Sequence, residues 1–193
     1  MVEYTVVWIL DGPMMYYNGL PSGAPHMTIY TVGHSNIAIE RFVDLLRLHM
    51  IQVLADTRSQ PYSRYAPQFN RESLKTSLQD AGMAYLYLGD DLGGRPRDAR
   101  YYRPEGTVDY DQLAEAPFYR EGIERLKREA EGRCLAIMCS EAGYRACHRY
   151  NLITRSLVKE GIEVHHILHS GGLDPTDLHD FHSELRQLGL PFE

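Results

Sequence analysis

The sequence predicts an α/β fold, with a mainly parallel sheet and helices on both of its faces. Three observations lead there. Strand-like and helix-like patterns alternate along the chain from Thr28 onward. The helical stretches between strands run to ten residues or more, the length that crossover connections between parallel strands require. The run Arg133–Met138 is apolar after its first residue, as in a strand covered on both faces. The expected architecture is a three-layer sandwich.

Residues 1–26 read differently from the rest. A β-like run at Tyr4–Leu10 is followed by Asp-Gly-Pro, Asn-Gly and Pro21-Ser-Gly-Ala-Pro25, a series of turn signals. They are expected to form an N-terminal extension or leader, with one α/β domain spanning 27–193. The length of 193 residues suits one full core and not two.

Within the domain, Thr28–Val32 is a short strand ending in Gly33-His34-Ser35. Ser35 or Asn36 is placed to cap the helix Ile39–Met50, whose Ile39, Phe42, Val43, Leu45, Leu46 and Met50 make one apolar stripe. Gln52–Ala55 is a buried strand ending in Asp56-Thr57-Arg58. Asn70 caps a helix Arg71–Ala81 that Gly82 stops, and Met83–Leu88 follows as a strand. Residues 89–110, with Gly93-Gly94 and four arginines, read as a long loop. Tyr110–Glu131 is helical, with a break allowed at Pro117 and an end at Gly132. After the strand Arg133–Met138 come a helix Ala146–Glu160, a strand Glu163–Leu168 and a last helix over about Asp174–Leu188.

Bulk composition excludes several function classes. The net charge of −6 opposes non-specific binding to polyanions, so nucleic acid is disfavoured as a partner, while a local pocket for a small anion stays open. No apolar run nears the roughly 20 residues that cross a bilayer. The three cysteines, Cys134, Cys139 and Cys147, are an odd and clustered set, which fits a reducing cytoplasm better than a disulfide framework. No cofactor is indicated. Nine histidines invite a metal, yet Cys139, Cys147 and His148 lack the tight Cys-x-x-Cys or His-Glu-x-x-His spacing, and no metal site is expected.

Ligands of such sheets collect outside the carboxyl ends of the strands. Those ends here carry Gly33-His34-Ser35, Asp56-Thr57-Arg58-Ser59, Asp90-Asp91-Leu-Gly-Gly-Arg95 and Cys139-Ser140-Glu141. The sharpest segment is Cys139-Ser-Glu141-Ala-Gly-Tyr-Arg145-Ala-Cys147-His148-Arg149. A cysteine ends a buried strand, and a loop then feeds a helix whose N–H groups and dipole favour an oxyanion and a thiolate. Cys139 is the candidate nucleophile or ligand, Arg145 and Arg149 are anion clamps, and His148 or Asp56 would handle protons. Glu141 either contacts ligand or pairs with these arginines. His34 and Ser35 offer a second anion contact or a helix cap. Arg58 either pairs with Asp56 or joins Arg95 as a ligand-binding cation, and Pro61-Tyr62-Ser63-Arg64-Tyr65 adds aromatic rings to the same rim.

Cysteine, five residues and arginine is also the spacing of phosphatase loops, and the segment from Gly143 through Gly171-Gly172 is similar to the rhodanese pattern. Met138 and Ala146 stand where phosphatases carry His and Ser or Thr. A fuller resemblance covers most of the chain. Thr31-Val-Gly-His34-Ser35-Asn36, Ala55-Asp56-Thr-Arg58-Ser-Gln-Pro61-Tyr-Ser63, Gln68-Phe69-Asn70, Leu92-Gly93-Gly94-Arg95 and Met138-Cys139-Ser-Glu141 with Cys147-His148-Arg149 resemble, in order, the family known as domain of unknown function 488. The resemblance implies an α/β fold of bacterial or archaeal cytoplasmic type, beginning near Met27, and brings no settled activity; the three-layer sandwich expected from the pattern is of rhodanese-like or Rossmann-like type. Three functions stay open on the residues. The first is an enzyme of sulfurtransferase-like or phosphatase-like kind acting on a small anion. The second is a non-catalytic module binding a nucleotide or other phosphorylated ligand. The third is a nucleic-acid-associated accessory.

Overall fold

A computed structural model describes residues 27–175. The run Tyr4–Leu10 and the part of the last expected helix beyond Pro175 lie outside the described residues. Six strands form one sheet in the order β3-β2-β4-β1-β5-β6. They are β1 (Thr28–Gly33), β2 (Val53–Asp56), β3 (Ala84–Tyr87), β4 (Leu135–Cys139), β5 (Glu163–Ile167) and β6 (Leu173–Pro175). All pairings are parallel except β5 with β6, which is antiparallel. The expected mainly parallel α/β sheet is what forms. The last helix, however, does not begin at Asp174. Asp174 and Pro175 belong to β6, because the turn Ser170–Gly172 folds the chain back onto β5, with Leu168 N–H donating to the Gly172 carbonyl.

Crossover direction decides where the helices go. From β1 to β2 to β3 the chain moves toward one edge, and α1 (Ile39–Leu48) and α2 (Arg71–Asp80) cover one face. From β3 to β4 to β5 it moves back, and α3 (Gly89–Leu92), α4 (Tyr110–Ala114), α5 (Pro117–Ala130) and α6 (Arg155–Lys159) cover the other. The two cores record the pleat. Val32, Leu54, Ala136 and Met138 pack under α1 and α2, whereas Ile29, Val53, Ala55, Leu135 and Ile137 pack under α5. By the same alternation Cys139 falls on the α5 side and Asp56 on the α2 side.

Several elements depart from the simple pattern. The N-cap of α1 is Ala38, and neither Ser35 nor Asn36 caps it. Ser35 takes a left-handed backbone (φ 48°) and its N–H donates to the Ser140 carbonyl instead. Asn70 does occupy the N-cap position of α2, but its Oδ1 accepts from Ser63 N–H and so pins the preceding loop. The stretch 89–110 is not structureless, since it holds α3 and a 3-10 turn at Ala99–Tyr101. The helix over 110–131 breaks at Pro117, where proline begins α5. The segment expected as one helix from Ala146 is a π-helix, Arg149–Thr154, running into α6. No helix among the described residues is long and apolar enough to cross a membrane.

β1 and β4 run side by side through the middle of the sheet, in register from Ile29 opposite Leu135 to Gly33 opposite Cys139. The loop after β4 then folds over Gly33 so closely that a Cβ there would sit 1.7 Å from the Glu141 carbonyl oxygen and 2.8 Å from Arg149 Nη1. Glycine is required by this approach and not by its backbone angles. Gly33→Ala should therefore lower the melting temperature by several degrees and displace the 140–143 loop. A variant with the wild-type melting curve and unchanged amide shifts for 140–143 would refute the packing.

Candidate functional site

The loops leaving β2 and β4 depart to opposite faces, which opens a crevice at the carboxyl ends of two adjacent strands. The cleft there has a volume of about 740 Å³. Its floor is Cys139, Cys147 and His148, and its walls include Arg58, Arg95 and Glu141. Cys139 ends β4 and is buried. Cys147, just before the π-helix, brings its Sγ to 2.8 Å from Cys139 Sγ, and both thiols are free. The sequence reading gave Cys147 no role. Its signal was the immediate neighbourhood of His148 and an eight-residue separation from Cys139, too irregular for any familiar spacing.

His148 is oriented by its neighbours. Nε2 lies 3.1 Å from the Thr57 carbonyl oxygen, which only accepts, so the hydrogen-bond network assigns the proton to Nε2. The Thr57 hydroxyl donates to the Met138 carbonyl (2.9 Å) and offers a second acceptor to Nε2 at 3.3 Å. The Nδ1 lone pair therefore faces Cys147 Sγ, 3.6 Å away. Thr57 does this because it follows Asp56 in the pleat and points to the opposite face.

The two sulfurs titrate as a pair. A hydrogen bond with Cys147, followed by burial, pushes the Cys139 thiol up, and the Arg149 charge opposes this. Cys147 moves down, through the hydrogen bond from Cys139, against the opposing effect of burial and with further help from the Arg149 backbone N–H. The ligand atoms of Cys139, Cys147 and His148 all lie within 4.8 Å of one another.

Asp56 and Arg58 are brought together as a buried buttress beside the cleft. Arg58 grips Asp56 through Nε to Oδ1 (2.8 Å) and Nη2 to Oδ2 (2.6 Å), and Tyr85 adds its hydroxyl to Oδ2 at 2.8 Å. Asp56 is fully buried, its lone pairs are committed, and it does not line the cleft. A proton-transfer role finds no geometric support for it. Arg58 continues the chain by donating from Nη1 to His34 Nε2 (3.0 Å), so His34 Nδ1 carries the proton and donates to the Ser35 carbonyl. The His34 ring stacks on Phe69 with centroids 4.2 Å apart. Its backbone N–H goes to the Cys139 carbonyl, as that of Ser35 goes to Ser140. Both residues thus hold the cysteine loop from behind, and neither N–H is free for an anion.

Arg149, expected as an anion clamp, is buried beneath the loop. Nη2 donates to the Glu141 and Ala142 carbonyls, 3.0 Å each, while Nε and Nη1 have no hydrogen-bond partner among the described residues. Arg145 lies on the surface with its guanidinium over Tyr144 and Tyr150. Arg95 is exposed on the cleft wall, its backbone N–H fixed by Ser59 Oγ at 2.9 Å.

Two imidazoles are held neutral. Burial, then the Arg58 charge, lowers His34 to about 4. Burial, then Arg149, lowers His166 to about 3. Between the ordinary value of 6.5 and these figures the unfolded chain takes up protons that the folded chain refuses. Stability should fall as pH drops from about 6.5 toward 4, with His34 alone contributing a loss on the order of 3 kcal/mol. A melting temperature unchanged between pH 7 and pH 4 would contradict it. Asp56→Ala, which strands a buried guanidinium, should cost about 3–5 kcal/mol in urea unfolding; a loss under 1 kcal/mol would show the ion pair to be dispensable.

Comparison with known proteins adds a family. The family model described as domain of unknown function DUF488 matches residues 38–155, which is more than half of the chain. The match runs from the residue before α1 to the first residue of α6 and includes Asp56, Arg58, Arg95, Cys139, Cys147, His148 and Arg149. His34 and Ser35 precede it. No curated protein and no solved structure matches. The chain belongs to the DUF488 family.

Proposed function

We propose that the chain binds a small anion, phosphate- or sulfur-containing, in the cleft at the carboxyl edge of the sheet, and that the sulfur cluster on its floor is the reactive end. The observation that carries this reading is the convergence of Arg58 and Arg95 on one cleft whose floor is Cys139, Cys147 and His148. Arg58 is held rigid and largely neutralised by Asp56, so it forms a fixed wall, whereas Arg95 is exposed and able to fold over a bound ligand. Glu141 is the one carboxylate among the lining residues, and it can hydrogen-bond a protonated ligand oxygen. The reaction types that fit are sulfurtransferase-like or phosphatase-like chemistry dependent on a cysteine. Three free cysteines suit a reducing compartment such as the cytoplasm.

A second reading, a nucleotide held without turnover, is favoured by two rings on the cleft rim, Tyr62 at 71% and Tyr65 at 91% exposure. Exposed rings in this position are placed to stack on a base.

Phosphate, sulfate and thiosulfate should each be tried for thermal stabilisation, with at least one raising the melting temperature in proportion to its occupancy. Arg95→Ala should weaken that binding roughly 10- to 100-fold, the loss of one or two charge-assisted hydrogen bonds, while Lys75→Ala, on the outer face of α2, should not. Equal stabilisation of wild type and Arg95→Ala would remove the cleft from consideration. A nucleoside monophosphate that stabilises more than inorganic phosphate, with the difference abolished by Tyr62→Ala, would favour the second reading over the first.

A further inference from the structure

The geometry points to a metal site. We propose that Cys139, Cys147 and His148 are three protein ligands of a soft divalent cation, zinc by preference, with the fourth position open to the cleft. This goes beyond the anion-binding reading and does not need it. Four observations support the site.

The donor set is two thiolates and one imidazole, the chemistry that selects zinc over magnesium or calcium. A tetrahedral ion about 2.3 Å from sulfur and about 2.0 Å from nitrogen requires a sulfur–nitrogen edge of roughly 3.5 Å and a sulfur–sulfur edge of roughly 3.8 Å. The Cys147 Sγ to His148 Nδ1 distance is 3.6 Å. The sulfurs, 2.8 Å apart, need to separate by about 1 Å, which a small rotation of either side chain supplies.

His148 is prepared as a ligand. Its Nε2–H is donated to the Thr57 carbonyl, and metal-bound histidines commonly anchor the second ring nitrogen to a carbonyl or carboxylate in this way. Nδ1 is the nitrogen left facing the sulfurs. The ring is also held from outside, since a Cβ at Gly94 would come within 2.6 Å of His148 Cβ and Cγ.

The anchors are rigid. Cys139 ends the strand that lies between β1 and β2, and Cys147 is fixed by hydrogen bonds from Tyr150 N–H and Asn151 N–H to its carbonyl. All three ligands line the same cleft, so the vacant vertex of a three-ligand ion lies on the cleft side. Three protein ligands with one open position is the arrangement of catalytic zinc.

Charge is consistent as well. A divalent ion with two thiolates is neutral, and the buried guanidinium of Arg149 keeps the surroundings positive, so the open position favours an anion or a hydroxide. Spacing alone argues against the site, because seven residues lie between Cys139 and Cys147 and none between Cys147 and His148, a pattern that only the β4 loop and the turn into the π-helix convert into one cluster.

The experiment uses the full chain, stripped of metal under reducing conditions and titrated with cobalt(II) alone. One equivalent should produce a thiolate-to-cobalt charge-transfer band and the visible bands of tetrahedral cobalt, and zinc should displace it with the same stoichiometry. Cys139→Ser and Cys147→Ser should each lose about half of the charge-transfer intensity, and His148→Ala should weaken binding by more than about tenfold. Cys134→Ser should leave the spectrum intact. Because a cysteine variant can misfold, the wild type supplies a second readout: zinc should protect Cys139 and Cys147, but not Cys134, from iodoacetamide. A reduced wild-type chain that gives no charge-transfer band overturns the proposal, as does a band that survives both cysteine substitutions. Arg95→Ala should retain the cobalt spectrum while losing anion stabilisation. A missing band with anion stabilisation intact would sink the metal site alone.

Discussion

The structure depends on a buried arginine. Arg149 is 1% exposed, enters from the π-helix, and forms no ion pair among the described residues. Burying a guanidinium costs several kcal/mol unless its surroundings compensate. Here two loop carbonyls, those of Glu141 and Ala142, accept from one nitrogen. This ties the loop after β4 to the helix that follows and leaves space for it only because residue 33 has no side chain. The same charge helps to hold His34 and His166 neutral and draws Cys139 toward ionisation. One side chain thus sets the shape of the cleft floor and its electrical character.

The pleat divides the remaining polar residues into two jobs. Asp56 and His34 point to the α2 side, where they join Arg58, Phe69 and Tyr85 in a closed network. Their neighbours in sequence, Thr57 and Gly33, point the other way, toward His148 and the cysteine loop. Adjacent residues at a strand end therefore serve different purposes: one set holds the strand ends at a fixed spacing, and the other supports His148 and the cysteine loop at the cleft. Arg58 belongs to both, because its guanidinium is clamped by Asp56 while the residue also lines the cleft.

Much of this was legible in the sequence, and the parts that were not share a cause. Strand and helix patterns place the elements, since the stripe of Phe42, Val43, Leu45 and Leu46 and the run Leu135–Met138 are set by burial alone. The polar strand ends mark the edge of the sheet where the cleft lies. What local pattern does not carry is the partner across space. The Asp56–Arg58 pair is legible as one of two alternatives, but the Tyr85 hydroxyl that closes it comes only with the β2–β3 register. Cys147 and Thr57 read as neutral positions until β2 and β4 become neighbours. The π-helix is invisible for a related reason: its extra residue per turn is stabilised by Thr154 Oγ1 donating to the Arg149 carbonyl, a contact that no 3.6-residue pattern anticipates.

Net charge near the floor leads one step further. Arg58 is neutralised by Asp56, so its contribution to the interior is that of a dipole. Arg149 has no such partner among the described residues, and its charge acts on the Cys139 thiol and on His34 and His166, both kept neutral, the latter also facing Asp174. Its field favours a negative charge nearby, and the sulfur pair or an anion in the cleft is placed to carry one. If the sulfurs supply it, they are poised to hold a cation or to attack an electrophile. If a ligand supplies it, the buried guanidinium is the fixed counter-charge that draws the ligand in. Either would act at the end of β4, beside a guanidinium that two loop carbonyls solvate and that forms no ion pair among the described residues.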